Sequence, residues 1–536
     1  MLRPHSGLPA RLSWAVALAF ALSWALAALP VAAADAPATG KPRFDVLEFA
    51  VQGNTVLKTP VIERAIYPHM GPQRSMDDVE GARAALEAAY RSAGYSTVAV
   101  DIPEQQVSAG VVVLQVVEAP VSRLRVTGSR YFSQDRIIEQ VPAVAEGTVP
   151  NLLELQAQLA GVNRSSDRRV QPLLRAGKAP GTTEVDLTVE DQLPVHGSIE
   201  LNNKASANTS PTRLLASLRY DNLLQRDHSL GLTVQTAPQK TSEVQLFSAN
   251  YAIPLGQDQL SFSYLHSNSE TAAGAGDTTV FGKGSAWGVR RSVVLQLADK
   301  AYHALSLSLD YKRFGETVAL ANGSGFATPL RYAPLGLGYI GITEDASGRW
   351  QLGGNLVVGL RGLLSSDAEF ADKRYGASSG FSVLKLDLSR EQKLPWAGLS
   401  LYGRLDTQFS GEPLVSNEQM VAGGADTVRG YHESAAVGDT GLRATLELRS
   451  GELLPASWPL LGSVTTHAFF DGATLQLRQP LPGQASRARL LSSGVGLRLK
   501  GKPYGSLQLN LAVPLAATAT TNRGDVLLHA AGAFDF

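Results

Sequence analysis

The chain has 536 residues, 48 basic against 48 acidic side chains, and no cysteine. Balanced charge excludes the basic excess of a general nucleic-acid surface, so no nucleic-acid partner is expected. The missing thiols exclude disulfides, thiol chemistry and zinc–thiolate sites, and suit a compartment where a stray thiol would be oxidised.

Arg3 and Arg11 precede an apolar run over 14–29, then Pro30 and Ala32-Ala33-Ala34. This is the order of a signal peptide, 1–34, cleaved after Ala34. The rival reading, a permanent transmembrane helix, suits the short run and its small-residue flank less well. No later stretch approaches the roughly 20 apolar residues of a membrane helix, so any further crossing falls to strands. A linker, 35–43, carries Pro37 and Pro42 and is too short and proline-rich for a helix.

From 44 to about 191 helix and strand signals mix, in two similar β-α-α-β-β units, 44–119 and 120–192. The first opens with a strand over 44–51 and a turn at Gly53-Asn54-Thr55. A short helix over 61–66 follows. A longer one starts near Ser75, where Ser75 and Asp78 resemble a capping box, and puts Val79, Ala82, Leu86 and Tyr90 on one face. Gly94 ends it. Two strands close the unit, one alternating Val98, Val100 and Ile102, the other a valine run over 110–118. The second unit repeats the order, with a strand over 121–128, helices over 134–141 and 151–163, and strands over 169–174 and 184–190. The apolar stripes read as core. Function in these units would fall to strand edges, where an extended peptide can add as a strand.

Over 193–536 the period is two. Leu305, Leu307 and Leu309 alternate with Ser306, Ser308 and Asp310; Leu384, Leu386 and Leu388 alternate with Lys385, Asp387 and Ser389; Leu442, Ala444, Leu446 and Leu448 alternate with Arg443, Thr445, Glu447 and Arg449. A packed sandwich core does not accept unpaired charges on one face, whereas a lipid-facing barrel with a wet lumen does. The segments number about sixteen, an even count, with tight connections after strands 4, 6, 8, 10 and 14 and longer ones after strands 5, 7, 9, 11, 13 and 15. The predicted fold class is therefore a 16-stranded antiparallel transmembrane β-barrel behind two small α/β domains. A soluble β-sandwich or a secreted repeat protein is the alternative for this half.

The longest connection, the sixth external loop over 410–440, carries Val428-Arg429-Gly430-Tyr431 and Gly438-Asp439-Thr440-Gly441. On composition alone Arg429 is a solvated surface charge. The two words together resemble the sixth-loop motif of the Omp85 superfamily. With Gly53-Asn54-Thr55, Gly94-Tyr95, Pro103-Glu104-Gln105, Val117-Glu118 and Tyr220-Asp221-Asn222-Leu223, the chain from about Phe44 onward is similar to the TpsB family. These are the FhaC/ShlB-like outer-membrane transporters of two-partner secretion. The resemblance implies that the β-α-α-β-β units are periplasmic POTRA domains. It implies that the sixth loop folds into the lumen, where Arg429 latches onto an aspartate of the wall. Asp471 in the strand-13 motif Phe469, Asp471, Gly472 is the candidate; Ala473 stands where the family pattern F-x-D-x-G ends in glycine. Phe534 and Phe536 look like the C-terminal insertion signal of outer-membrane barrels.

The implied function is export of an unfolded TpsA-type exoprotein, of the adhesin or haemolysin class, through the outer membrane of a Gram-negative bacterium. POTRA domains would recognise the exoprotein, and no ATP would be used. Further implied partners are outer-membrane lipid and, during biogenesis, periplasmic chaperones and the barrel-assembly machinery. An Omp85-type factor that assembles or inserts other barrels is the alternative, and a passive porin a third reading. No enzyme, cofactor or metal is expected. H-E-x-x-H and G-x-S-x-G are missing, 276–284 lacks the phosphate-loop spacing, and His467 reads as polar lining. No plug helix is expected ahead of the first unit.

Overall fold

The structure, a computed structural model, describes residues 42–536 apart from 108, 276–277, 299, 316, 320–324, 397, 456 and 503. The signal peptide and nearly all of the linker lie outside the described residues, and with them the question of a plug helix. Two compact units form, one running to Ala89 and over Ala99–Val117, the other taking in Tyr90–Val98 and Glu118–Phe536.

In the first small domain, Glu48–Gln52 runs parallel to Val111–Val117, which pairs antiparallel with Ala99–Asp101. The single strand predicted over 44–51 is divided. Phe44–Val46 leaves this sheet and pairs with Gly71–Arg74, a strand that no apolar alternation announces. Helix Thr59–Ile66 carries Pro60 in its first turn, where its missing N–H would go unpaired anyway. Helix Met76–Ser92 buries Val79, Ala82 and Leu86.

In the second small domain, Val121–Thr127 is parallel to Thr183–Asp191, and Arg168–Ala176 is antiparallel on its other side. Asn151 caps helix Leu152–Val162 by accepting the N–H groups of Leu153 and Glu154. Leu155, Leu159 and Val162 of that helix pack on Val170, Val185 and Leu187 of the sheet. Each fully buried side chain of this size is worth about 1.5–3 kcal/mol.

Seventeen segments close into an antiparallel barrel. Leu330–Tyr332 and Pro334–Asp345 pair with the same neighbour on either side of Ala333 and form one strand, leaving sixteen. In chain order they are β1 Val195–Asn202, β2 Arg213–Leu223, β3 His228–Thr236, β4 Gln245–Leu255 and β5 Asp258–Ala275. Next come β6 Thr278–Ala298, β7 Ala301–Gly315, the divided β8, β9 Gly348–Gly359, β10 Ser382–Lys393 and β11 Ser400–Ser410. The rest are β12 Thr440–Arg449, β13 Leu461–Gln476, β14 Arg487–Gly501, β15 Gly505–Pro514 and β16 Leu527–Asp535. Strand β16 returns to β1, with Phe534 opposite Ile199. The Phe536 ring covers Gly197, where any Cβ would collide with it.

Three expectations about this half are corrected. No long connection follows β5, because the Gly/Ala/Thr-rich stretch pairs as ladder from Ala272↔Phe281 to Ala275↔Thr278. The backbone gains ladder hydrogen bonds where a loop was expected. The period of two read over 193–536 does not hold throughout. Loop 5, between β9 and β10, contains helix Asp367–Lys373, capped by a reciprocal Ser366–Glu369 box. The lumen wall is not wet throughout. Leu246, Leu265, Phe314, Leu330 and Val383 are buried in an apolar cluster with residues of loops 5 and 6. On the outer face the alternation is as read, with Leu384, Leu386 and Leu388 all exposed.

Candidate functional site

The connection from Ser410 to Thr440, loop 6, turns inward. It makes a one-turn 3₁₀ helix, Ser416–Glu418, then a narrow hairpin of Met420–Ala422 against Ala436–Gly438. The tip carries Val428-Arg429-Gly430-Tyr431. Val428 and Tyr431 are wholly buried, packed with Met420, Ala422, Ala473, Leu475 and Leu490. The methyl group of Ala473 thus faces the loop's apolar side. Tyr431 Oη reaches the backbone carbonyls of Leu491 and Ala516 at 2.9 and 2.6 Å.

Arg429 meets Asp471 in a bidentate fork. Its Nε is 2.7 Å from Oδ2 and its Nη2 is 2.8 Å from Oδ1, and its backbone N–H also donates to Oδ2 at 3.1 Å. Such paired, charge-assisted bonds fix direction as well as position. The guanidinium carbon lies 3.5 Å from the ring centroid of Phe469, a cation–π contact. Asp471 is wholly buried and Arg429 nearly so, hence little solvent screens the pair. Gly472, beside it, is partly exposed, and a Cβ there would come within 3.3 Å of Leu491.

The fold adds partners that the sequence did not link to Arg429. Glu447 on β12 takes the remaining guanidinium nitrogen at 2.7 Å. It is itself held by Arg449 at 2.8 Å and Arg498 at 3.2 Å. His467 Nε2 lies 2.9 Å from Asn510 Oδ1 and 3.4 Å from Arg429. The Gly430 N–H donates to His529 Nε2 on β16 at 2.9 Å, which requires that nitrogen to be the unprotonated one. Gly430 has φ +88°, and a Cβ there would press on Ala512, Pro514 and Ser492 at 3.3–3.4 Å. Only glycine suits both conditions. Alternation on β12 marks Glu447 as lumen-facing, but nothing in its spacing links it to Arg429.

Phe534 and Phe536 are not part of this centre. Both are exposed on the outer face at the β16–β1 seam, where the Tyr504 ring meets Phe534 edge-on at 5.7 Å.

One further group gathers titratable side chains, Asp167 of the second small domain with His196 of β1 and Asp221 of β2, ligand atoms within 4.8 Å of one another. Hydrogen bonds already occupy it. Gln192, Ser165 and His196 bond Asp167, while Arg219 and Ser229 bond Asp221. Burial pushes the Asp167 carboxyl up, and the bonds from Gln192 and His196 outweigh it, for a net lowering. The arrangement ties the small domain to the barrel wall.

Residues 181–499 match the family described as haemolysin secretion/activation protein ShlB/FhaC/HecB, and residues 44–119 match the POTRA domain, ShlB-type. The outer membrane transporter CdiB of Dickeya dadantii is 24% identical over 466 residues, covering 80% of this chain and 75% of that one. The heme/hemopexin transporter protein HuxB of Haemophilus influenzae is 21% identical over 483 residues, covering 87% and 82%. Among solved structures, CdiB from Escherichia coli superposes with a TM-score of 0.61 at 20% identity, covering 94% of this chain and 93% of that one. BamA from Haemophilus ducreyi lacking POTRA domains 1–3 gives 0.55 at 14%, covering 92% and 100%. At these identities the superpositions speak for the fold alone; the family match spans more than half of the chain. The chain therefore belongs to the ShlB/FhaC/HecB family and is an outer-membrane pore of two-partner secretion, its barrel in the membrane and its POTRA region in the periplasm.

Proposed function

We propose that loop 6 is the working part of this pore, and that the Arg429–Asp471 fork latches it in a transport-competent register. The observation that carries this is the buried bidentate pair, with Glu447 and Phe469 completing the cradle. The exported chain is a TpsA-type exoprotein of the adhesin or haemolysin class. It reaches the pore unfolded and is recognised in the periplasm as an added strand. The Arg168–Ala176 strand supports this reading. It lies at the edge of its sheet, carries Pro172, which central strands exclude, and exposes Leu173. Threading needs no ATP, since folding outside the cell biases direction. No covalent chemistry is involved. Chaperones and the barrel-assembly machinery act only in biogenesis.

Single-channel conductance in planar bilayers tests the latch. Wild type is expected to conduct in small or flickering steps, and a variant lacking 411–439 to open a large steady pore. Equal conductance in the two would return loop 6 to the surface and Arg429 to a solvated charge.

A further inference from the structure

Beyond the latch, an apolar cluster packs loops 5 and 6 against the inside of β4, β5, β7, β8 and β10 at the external end of the barrel. Phe370 of the loop 5 helix is buried to 1% exposure, and the Tyr332 ring of β8 meets Phe370 and Phe381 edge-on at 5.5 and 5.9 Å. Leu414 and Val415, at the root of loop 6, complete the cluster. Apolar constrictions in pores stop ions by excluding water, and loops 5 and 6 bring an apolar cluster of the required kind to this mouth. An exported chain leaving by this mouth has to part it.

One buried carboxylate joins the loops around this cluster. Asp439 is wholly buried where loop 6 rejoins the barrel. Its Oδ1 accepts the Leu414 N–H at 3.0 Å and Gln419 Nε2 at 2.9 Å, both from loop 6. Its Oδ2 accepts Arg374 Nη2 at 2.8 Å, from the residue capping the loop 5 helix, and the N–H of Arg478, in the connection between β13 and β14, at 2.7 Å. Three loops thus converge on one side chain. Across the cluster a second contact binds loop 6 to the wall, where Glu418 accepts Lys312 Nζ at 2.7 Å and Tyr332 Oη at 2.8 Å. Neither contact touches Arg429 or Asp471.

We propose that the loop 5 helix and the root of loop 6 form an exit gate, separate from the Arg429 latch, and that Asp439 is the positioning residue that holds the gate closed. The proposal rests on export through this mouth, but its test does not. Full-length protein in planar bilayers is compared as wild type, Asp439→Asn, Arg374→Gln, Arg374→Lys and Phe370→Ala. Asp439→Asn, Arg374→Gln and Phe370→Ala are expected to raise the open probability at least several-fold. Arg374→Lys, which keeps the charge, is expected to stay near wild type, an outcome that mere disturbance of loop packing would not give. If Asp439→Asn fails to insert, Arg374→Gln interrogates the same contact from the loop 5 side. Inserted variants whose opening matches wild type would overturn the gate. Increased opening supports it whether or not those variants still secrete, and loss of secretion by an opened pore counts only against the export reading.

Discussion

Arg429 sits between two buried carboxylates, Asp471 and Glu447. Removing one partner of a buried ion pair costs roughly 3–5 kcal/mol, mostly through the charge left behind. In Asp471→Asn, Glu447 still faces the guanidinium, so the expected loss in loop docking is at the lower end, about 3 kcal/mol. That is roughly a hundredfold shift toward the undocked loop. Secretion of the partner protein should fall while the folded barrel remains in the membrane. A variant that secretes like wild type would remove the latch from the mechanism. Gly430→Ala meets two penalties, a left-handed backbone and a wall 3.3 Å away. The backbone alone costs about 1–3 kcal/mol. The same loss of secretion is expected with Arg429 and Asp471 both intact, measured on variants of equal membrane abundance. Arg429 was legible as a residue, since its neighbours carry the family word. Glu447 was not, because its pairing depends on how far loop 6 descends, and nothing local in the chain encodes that depth.

Elements were legible in proportion to their periodicity. The barrel strands repeat every two residues over long runs, so their number and order could be read directly. The loop 5 helix could not. It is seven residues long and buries one side chain, Phe370, which leaves no stripe to detect. Its one local signal is the spacing of Ser366 and Glu369, a capping box. Ser366→Ala is therefore expected to destabilise this helix by about 1 kcal/mol, seen as faster amide exchange over 367–373 with the barrel strands unchanged. The strand Gly71–Arg74 was missed for a similar reason, being held by pairing rather than by pattern. In the sheet of the second small domain, Asp186 is bonded by Arg125 at 2.9 Å and by Arg175. The Arg125 hydrogen bond is the leading cause that holds its carboxyl below the usual range. A lowered folded-state value means the contribution is fully present above the unfolded pKa. It is lost as pH falls through the folded value. Below about pH 5, stability should thus fall less steeply with pH in Asp186→Asn, and the wild type's advantage should be largest near neutrality and shrink as acid is added.

At the scale of the molecule, the likeness to CdiB and BamA speaks for the fold and leaves export and barrel assembly to be separated by experiment. Deleting the gene separates them. Export predicts the disappearance of one exoprotein from the culture medium with the other outer-membrane barrels at normal abundance, read by quantitative proteomics of both fractions. Broad depletion of barrels would favour assembly. Domain order and barrel class were open to reading because both rest on repeated patterns. The dry outer end of the lumen was not, since Leu246, Leu265 and Val383 look like ordinary strand residues until loops 5 and 6 arrive to cover them.

The seam between β1 and β16 has a kinetic consequence. Every other pair in the barrel joins strands adjacent in the chain, whereas closure brings Asn203 against Ala530, 327 positions apart. Loop-closure entropy grows slowly, about 0.6 kcal/mol per doubling of length, so the finished ring is scarcely weakened by this distance. The rate is another matter, because long-range pairing is slow. Until it occurs, β1 and β16 each offer an unpaired edge, the kind of surface on which chains aggregate. Pairing at this seam is thus expected to be the slow step of ring closure, and the Phe536 ring over Gly197 stands where it ends.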